Sequence, residues 1–156
     1  MRLVKALKMV KFIGEYNAKV DDKGRLILPS SFKASITPGG DMRLVLKKDL
    51  FSDCLEMYTY EEWTQESEQV KSRLNFFNRE HASFWREYMR ERAIVEPDEK
   101  LGRITIPKKM LEQIGVEREV TFAGNGHKIE IWAREAYESH KLTDNDYLAL
   151  AEKILG

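Results

Sequence analysis

Apolar and polar residues alternate in four short segments of this chain, as they do in strands that bury one face of a sheet. Two segments are separated only by Asn125, Gly126 and His127, a strong hairpin-turn signal. The alternation therefore predicts two β-hairpins, and their apolar faces are expected to pack against each other. The alternating apolar positions are Leu44 and Leu46 with Leu55 and Met57, then Val120 and Phe122 with Ile129 and Ile131.

Between the hairpins, residues 59–96 contain neither glycine nor proline, which favours helix throughout. Thr59 followed by Glu62 matches a capping box, and Asn78 can begin a second helix, so a helical hairpin is predicted. Its aromatic stripe is expected to pack the helices on the sheet or on a neighbouring subunit. The stripe comprises Phe76, Phe77, Phe84, Trp85, Tyr88 and Met89.

The last residues of the chain predict one more helix, which begins at a cap formed by Thr143 with Asp146. Leu148, Ala151 and Leu155 share one face of it, so the helix is amphipathic. An amphipathic helix at a chain end is a natural subunit contact.

The chain also contains an internal repeat. "DDKGRLILP" at 21–29 returns as "EKLGRITIP" at 99–107, and the hairpins that follow align in the same register after a four-residue loop deletion. Each copy reads as a strand, a charged loop, a short strand ended by proline, a short helix and a hairpin. Ser30 is the expected N-cap of the first short helix, and Gly115 is the expected end of the second. Because a half of about fifty residues buries little apolar surface alone, the copies are expected to interlock around a pseudo-twofold axis.

Composition indicates an ordinary globular protein, with 42% hydrophobic and 33% charged residues in a chain of 156. The single cysteine, Cys54, cannot form an internal disulfide. Lys5, Lys8 and Lys11 interrupt the apolar residues near the start, so neither a signal peptide nor a membrane span is expected there. A cytoplasmic location without membrane contact follows as an expectation.

Charge is unevenly distributed although it sums to zero. Residues 1–48 hold eleven basic and four acidic residues, a net of +7, so the remainder carries −7. This asymmetry predicts one basic face and one acidic, helical side. Solvated faces that only keep the chain soluble would produce the same imbalance.

The sequence motifs give no support for an enzymatic function. His81, His127 and His140 fall in unrelated segments, and no nucleophile elbow, phosphate-binding loop or paired-cysteine pattern occurs. The acids and glycine of "DDKG" lack the alternating ligands of a calcium loop. We therefore expect no catalytic residues, no metal, no cofactor and no small-molecule substrate.

The repeated arginine is the strongest functional candidate. Arg25 and Arg103 each lie four residues after an acid, Asp21 or Glu99, which could hold the guanidinium in place. Guanidinium donors fit guanine or phosphate, so two such turns projecting from one side of the molecule predict a double-stranded DNA surface. An exposed ion pair that only staples each turn is the alternative. The other expected DNA-binding residues are Lys19, Lys23, Gly24, Lys100 and Gly102.

The pattern "FIGEY…DDKGRLILP…LEMYTYEEW" followed by "GRITIP…GNGHKIEIWAREAY" resembles the MraZ family of bacterial transcriptional regulators over residues 9–140. This resemblance implies an α+β fold in which two tandem swapped-hairpin repeats, related to AbrB and SpoVT, form a pseudo-twofold β-barrel-like core. The expected segments are a first repeat at 9–63, an inserted helical hairpin at 64–92, a second repeat at 93–137 and a C-terminal helix at 138–156. The D-x-x-x-R element of the family maps onto Asp21 with Arg25 and onto Glu99 with Arg103.

The resemblance further implies a nucleoid-associated repressor that binds short direct promoter repeats upstream of the division and cell-wall gene cluster. It implies a ring-shaped homo-oligomer, an octamer or dodecamer, whose several contacts would compensate for the neutral net charge. Two other functions remain open at this point: an antitoxin-like protein-interaction module, and a structural oligomer without specific DNA binding.

Overall fold

The computed structural model describes residues 11–36 and 40–156, which contain eight strands and six helices. Residues 9, 10 and 37–39 of the expected first repeat lie outside the described residues. The strands are β1 (Glu15–Lys19), β2 (Arg25–Ile27), β3 (Leu44–Lys48), β4 (Cys54–Thr59), β5 (Ala93–Val95), β6 (Arg103–Thr105), β7 (Glu119–Gly124) and β8 (Ile129–Ala133). The helices are α1 (Ser30–Ser35), α2 (Tyr60–Ser72), α3 (Arg79–Met89), α4 (Lys108–Gln113), α5 (Arg134–Ser139) and α6 (Asp144–Leu155).

Six strands form one antiparallel sheet in the order β1-β7-β8-β4-β3-β5. The first strand of each half pairs with the hairpin of the other half, β1 with β7 and β5 with β3. β2 and β6 pair with each other in a separate two-stranded sheet. The α+β class is thereby confirmed, whereas closure into a barrel-like, swapped-hairpin core stays a prediction.

The core lies where the apolar faces of the two hairpins meet, as the alternation predicts. All eight alternating positions named above belong to one buried cluster, and each is fully shielded from solvent. Leu26 of β2 and Ile104 of β6 belong to the same cluster, together with Phe12 and Phe32, whose rings meet edge to face at 5.6 Å. The two-stranded sheet therefore packs on the core through its central residues, Leu26 and Ile104.

Side chains cap the longer helices at the predicted positions. Thr59 Oγ1 accepts from the N–H of Glu62 at 3.2 Å, and Thr143 Oγ1 accepts from Asp146 at 3.1 Å. Asn78 Oδ1 begins α3 by accepting from the N–H of Glu80 at 2.9 Å. Two helices thus begin at the predicted caps and are separated by residues 73–78, while the inserted helical hairpin at 64–92 stays a prediction as a separate segment. None of the helices in the described ranges is both long and apolar enough to cross a membrane.

Two local predictions are wrong. Residues 93–95 are a strand, because Ala93, Ile94 and Val95 pair with β3 at the sheet edge and the helix ends at Met89. Ser30 is the first residue of α1, and Pro29 occupies the N-cap position with no side-chain hydrogen bond. Proline already supplies the backbone angle that a cap requires, and its carbonyl accepts from the N–H groups of Phe32 and Lys33.

The aromatic stripe packs only in part. Tyr88 stacks on Trp63 of α2 at 5.5 Å and on Trp85 at 5.4 Å, and this cluster covers the second face of the sheet at Tyr58. Phe77, by contrast, is fully exposed. Phe76, Phe84 and Met89 are also exposed, and α3 contains no buried residue. The stripe therefore leaves an apolar surface on the helical hairpin.

Gly24 is predicted to be essential to the junction between the two halves. Its φ is +81°, and an added Cβ would lie 2.5 Å from the carbonyl oxygen of Ile106 in the other half. Gly115 has a similar φ of +71° but open space around it. Gly115→Ala should therefore lower the free energy of unfolding by about 1–2 kcal/mol, because alanine disfavours the left-handed backbone. Gly24→Ala should lower it by about 2–5 kcal/mol in total, because the added Cβ also meets the Ile106 carbonyl. Urea unfolding of both variants measures the difference, and equal losses would contradict the close approach.

Candidate nucleic-acid interface

The two repeated arginines lie on one face of the two-stranded sheet, here called the ribbon (β2 and β6). The ribbon register pairs Arg25 with Thr105, Leu26 with Ile104, and Ile27 with Arg103. Since successive side chains point to opposite faces, burial of Leu26 and Ile104 in the core directs the other four outward. Arg25 and Arg103 occupy diagonal positions of this outward face, with Cα atoms about 7–8 Å apart.

The glycines before the arginines extend the ribbon at both ends. The N–H of Ile106 donates to the carbonyl of Gly24, and that of Leu28 donates to the carbonyl of Gly102, each at 2.9 Å. Because the strands are antiparallel, the two charged loops lie at opposite ends of the ribbon. The arginines that follow them nevertheless share a face.

Asp21 holds the first loop and its arginine together. Its Oδ2 accepts from Arg25 Nε at 2.7 Å, and its Oδ1 accepts from the backbone N–H groups of Lys23 and Arg25, both at 2.9 Å. The backbone N–H of Arg25 is the largest of several contacts that lower the pKa of the Asp21 carboxyl. The predicted brace is present, and it fixes the guanidinium relative to the strand.

In the second loop the brace is Asp98, and the expectation of Glu99 is wrong. Asp98 Oδ2 accepts from Arg103 Nε at 2.9 Å, while Oδ1 accepts from the N–H groups of Leu101 and Gly102 at 2.8 and 2.9 Å. Donation by the Arg103 side chain, followed by that of the Leu101 N–H, holds the pKa of Asp98 well below its usual range. Glu99 is exposed and makes no ion pair among the described residues.

Loop length explains the error. The second loop closes between Asp98 and Arg103, one residue longer than the first, which closes between Asp21 and Arg25. A comparison without a gap therefore places Glu99 opposite Asp21. The usable signal is residue type, because aspartate is short enough to accept from the backbone N–H groups just after it and glutamate is not.

Each brace occupies only Nε of its arginine. Within the described ranges, no hydrogen-bond partner occupies the two terminal nitrogens of Arg25 or of Arg103. The side chains are 38% and 37% exposed, so these nitrogens are held in position yet accessible. Two adjacent donors of this kind can bind guanine O6 and N7, or two phosphate oxygens, in a bidentate manner.

Lysines from different elements lie beside the ribbon. A shallow groove next to Ile27 is lined by Lys19 and Lys100, which the sequence predicts, and by Lys33, which it does not. Lys33 extends from α1 across the second loop, where its Nζ would lie 3.4 Å from a Cβ on Gly102. Only the fold brings this helix of the first half against the loop of the second. Lys23 is exposed on the first loop, outside the groove.

The histidines and the cysteine lie apart from one another in the described structure. His81, His127 and His140 each contact a different part of the fold, near Asn75, Tyr58 and Trp132 respectively. Burial raises the pKa of the Cys54 thiol to about 12. Among the described residues, no three histidine, cysteine or acidic side chains group as metal ligands would.

Comparison with known proteins identifies the family. The family model described as "MraZ protein, putative antitoxin-like" matches residues 11–87 and 89–150. Proteins named transcriptional regulator MraZ are similar to most of the chain. That of Bacteroides fragilis is 36% identical and that of Bacteroides thetaiotaomicron 34% identical, each over 94% of this chain and 92% and 94% of their own lengths. That of Lachnoclostridium phytofermentans is 37% identical over 88% of this chain and 92% of its own length. The chain therefore belongs to the MraZ family.

Proposed function

We propose that this protein is a sequence-specific DNA-binding transcriptional regulator, acting as a repressor, that places its ribbon in the major groove. The observation that carries the proposal is the pair of braced arginines on one ribbon face, whose terminal nitrogens have no hydrogen-bond partner in the described part of the chain. The major groove of B-DNA is about 12 Å wide and admits a two-stranded ribbon. Both arginines can then reach base edges from one insertion.

The site separates base reading from phosphate binding. Arg25 and Arg103 offer paired donors, so they suit guanine. Lys19, Lys33 and Lys100 surround the adjacent groove as point charges, so they suit the phosphates that border the inserted ribbon. Asp21 and Asp98 lower the entropy lost on binding because they hold the guanidiniums before DNA arrives.

The relatives support a regulatory role, since they are named transcriptional regulators. As part of the same proposal, the protein acts at the nucleoid on short direct promoter repeats of the division and cell-wall gene cluster. The proposed assembly is a ring-shaped octamer or dodecamer of swapped-hairpin repeats. Several subunits bound to successive repeats would raise the effective concentration at each site, so the neutral net charge is no obstacle.

A protein-binding role is the second candidate, and the exposed aromatic residues of the helical hairpin favour it. Phe77 is fully exposed, and Phe76 and Phe84 are 45% and 47% exposed. This surface belongs to α3 and the turn before it, whereas the ribbon belongs to the small sheet. Footprinting of the DNA upstream of its own coding sequence separates the two roles: protection supports the regulator, and its absence at micromolar protein favours the protein-binding role.

Loss of either arginine should reduce discrimination between promoter-derived and scrambled duplexes. Arg25→Ala and Arg103→Ala each remove one bidentate contact, which is worth about 1–3 kcal/mol if the contact is to guanine. Fluorescence anisotropy with both duplexes measures the ratio of affinities. Lys100→Ala is the control, because loss of a phosphate contact in the groove should weaken both duplexes equally and reduce the salt slope by about one. Unchanged selectivity in both arginine variants would remove the mechanism.

The two acids of the second loop provide a matched pair of variants. Asp98→Asn removes the charge that orients Arg103, so affinity for the promoter-derived duplex should fall several-fold. Glu99→Gln removes the same charge from the neighbouring residue, which makes no ion pair among the described residues, and affinity should hold or rise slightly. Anisotropy titrations at one salt concentration compare them. The brace assignment fails if Glu99→Gln is the damaging change.

A further inference from the structure

We propose that the ribbon reads DNA in one direction, because Ile27 offers a thymine methyl group a larger apolar contact than Thr105, the equivalent residue of the other half, can offer. This inference rests on the proposed insertion of the ribbon into the major groove. It adds a specificity residue, and it gives a structural basis for the single orientation that binding to direct repeats requires.

The ribbon has a local twofold symmetry. Its local twofold axis passes between Leu26 and Ile104, which face each other at its centre. Rotation about this axis exchanges Arg25 with Arg103, and the sequence keeps arginine at both positions. The same rotation exchanges Ile27 with Thr105, where the two halves differ. The outward face is therefore symmetric in its guanidiniums and asymmetric in its other two side chains.

Ile27 is an apolar residue on a surface otherwise suited to polar contacts. It is 54% exposed, whereas its strand neighbours Leu26 and Leu28 are buried. It therefore contributes little to the core. The C5-methyl group of thymine is the apolar group that the major groove presents, and aliphatic side chains are its natural contacts. Burying one methyl group is worth about fourfold in affinity.

Position on the ribbon determines which base Ile27 would meet. It lies directly across from Arg103, and Cβ atoms of such pairs are about 4.5–5.5 Å apart. Successive bases rise about 3.4 Å along a strand, so the two residues address the same or adjacent base pairs. We infer a guanine read by Arg103 with a thymine beside it. Across from Arg25 stands Thr105, whose hydroxyl both donates and accepts and whose single methyl group offers thymine less apolar surface than isoleucine does.

The basic residues around the ribbon are also distributed differently at its two ends. Lys33 lies against Gly102 in the second loop, whereas Leu111 is the side chain nearest Gly24 in the first. The end of the ribbon that carries Ile27 and Arg103 therefore has Lys33 and Lys100 beside it, whereas the loop at the other end has Lys23. A non-palindromic site is expected, on which each subunit adopts one orientation.

Selection from a random-sequence duplex library tests the polarity. Wild-type protein should enrich a non-palindromic motif. Ile27→Thr makes the outward face identical in both halves, so its enriched motif should become palindromic about the ribbon axis. Thr105→Ile should add a thymine at the symmetry-related position. Ile94→Thr is the matched control, because Ile94 is 59% exposed at the edge of the larger sheet, and its motif should equal the wild-type motif.

Replacing thymine by uracil in the enriched duplex tests the contact itself, because uracil lacks only the methyl group. Wild-type affinity should fall about fourfold at one thymine, and Ile27→Ala protein should bind the two duplexes equally. The inference is overturned if Ile27→Thr enriches the wild-type motif, or if uracil at every position leaves wild-type affinity unchanged. If wild-type protein enriches nothing, the DNA-binding proposal fails and the inference fails with it. If enrichment survives loss of both arginines, DNA binding stands but reading by the ribbon fails, and the inference fails with the ribbon.

Discussion

The pairing of β2 with β6 is the constraint on which the candidate site depends. Two strands of three residues each, from opposite halves of the chain, meet through the buried pair Leu26 and Ile104. Burial of that pair turns the four flanking side chains outward, and among them are the two arginines. The candidate site is thus shared between the two halves and is held in place by the core on which the ribbon packs.

Two further contacts convert this ribbon into a preorganised surface. The carbonyls of Gly24 and Gly102 continue the hydrogen bonding beyond the strands, and the glycine at 24 permits an approach that a Cβ would block. Asp21 and Asp98 then tie each loop to its arginine through Nε. Backbone and side chain are fixed by the same carboxylate, so the terminal nitrogens are aimed before any ligand binds.

Sequence predicts the parts of this protein that depend on local patterns. Alternation identifies the hairpin faces because burial of one sheet face is a period-two property, and Thr59, Asn78 and Thr143 reveal helix starts because their caps lie within three residues. Residues 93–95 are misassigned because their strand depends on pairing with β3, about fifty residues earlier. Asp98 is missed because the two loops differ in length, and Lys33 because only the interlocked halves bring it to the second loop.

The outward ribbon face is expected to meet DNA, and directed disulfide trapping tests this contact most directly. Cys54 is the only cysteine of the chain, and it is fully buried with a raised pKa. A cysteine introduced at the surface is therefore the reactive thiol. Thr105→Cys protein is mixed with a promoter duplex that carries an alkyl disulfide tether in the major groove, so that the protein thiolate attacks the tether and displaces its small outer thiol. Ile94→Cys serves as the control. We predict rapid cross-linking at residue 105 and little at residue 94. Cross-linking at residue 94 but not at residue 105 would contradict the account.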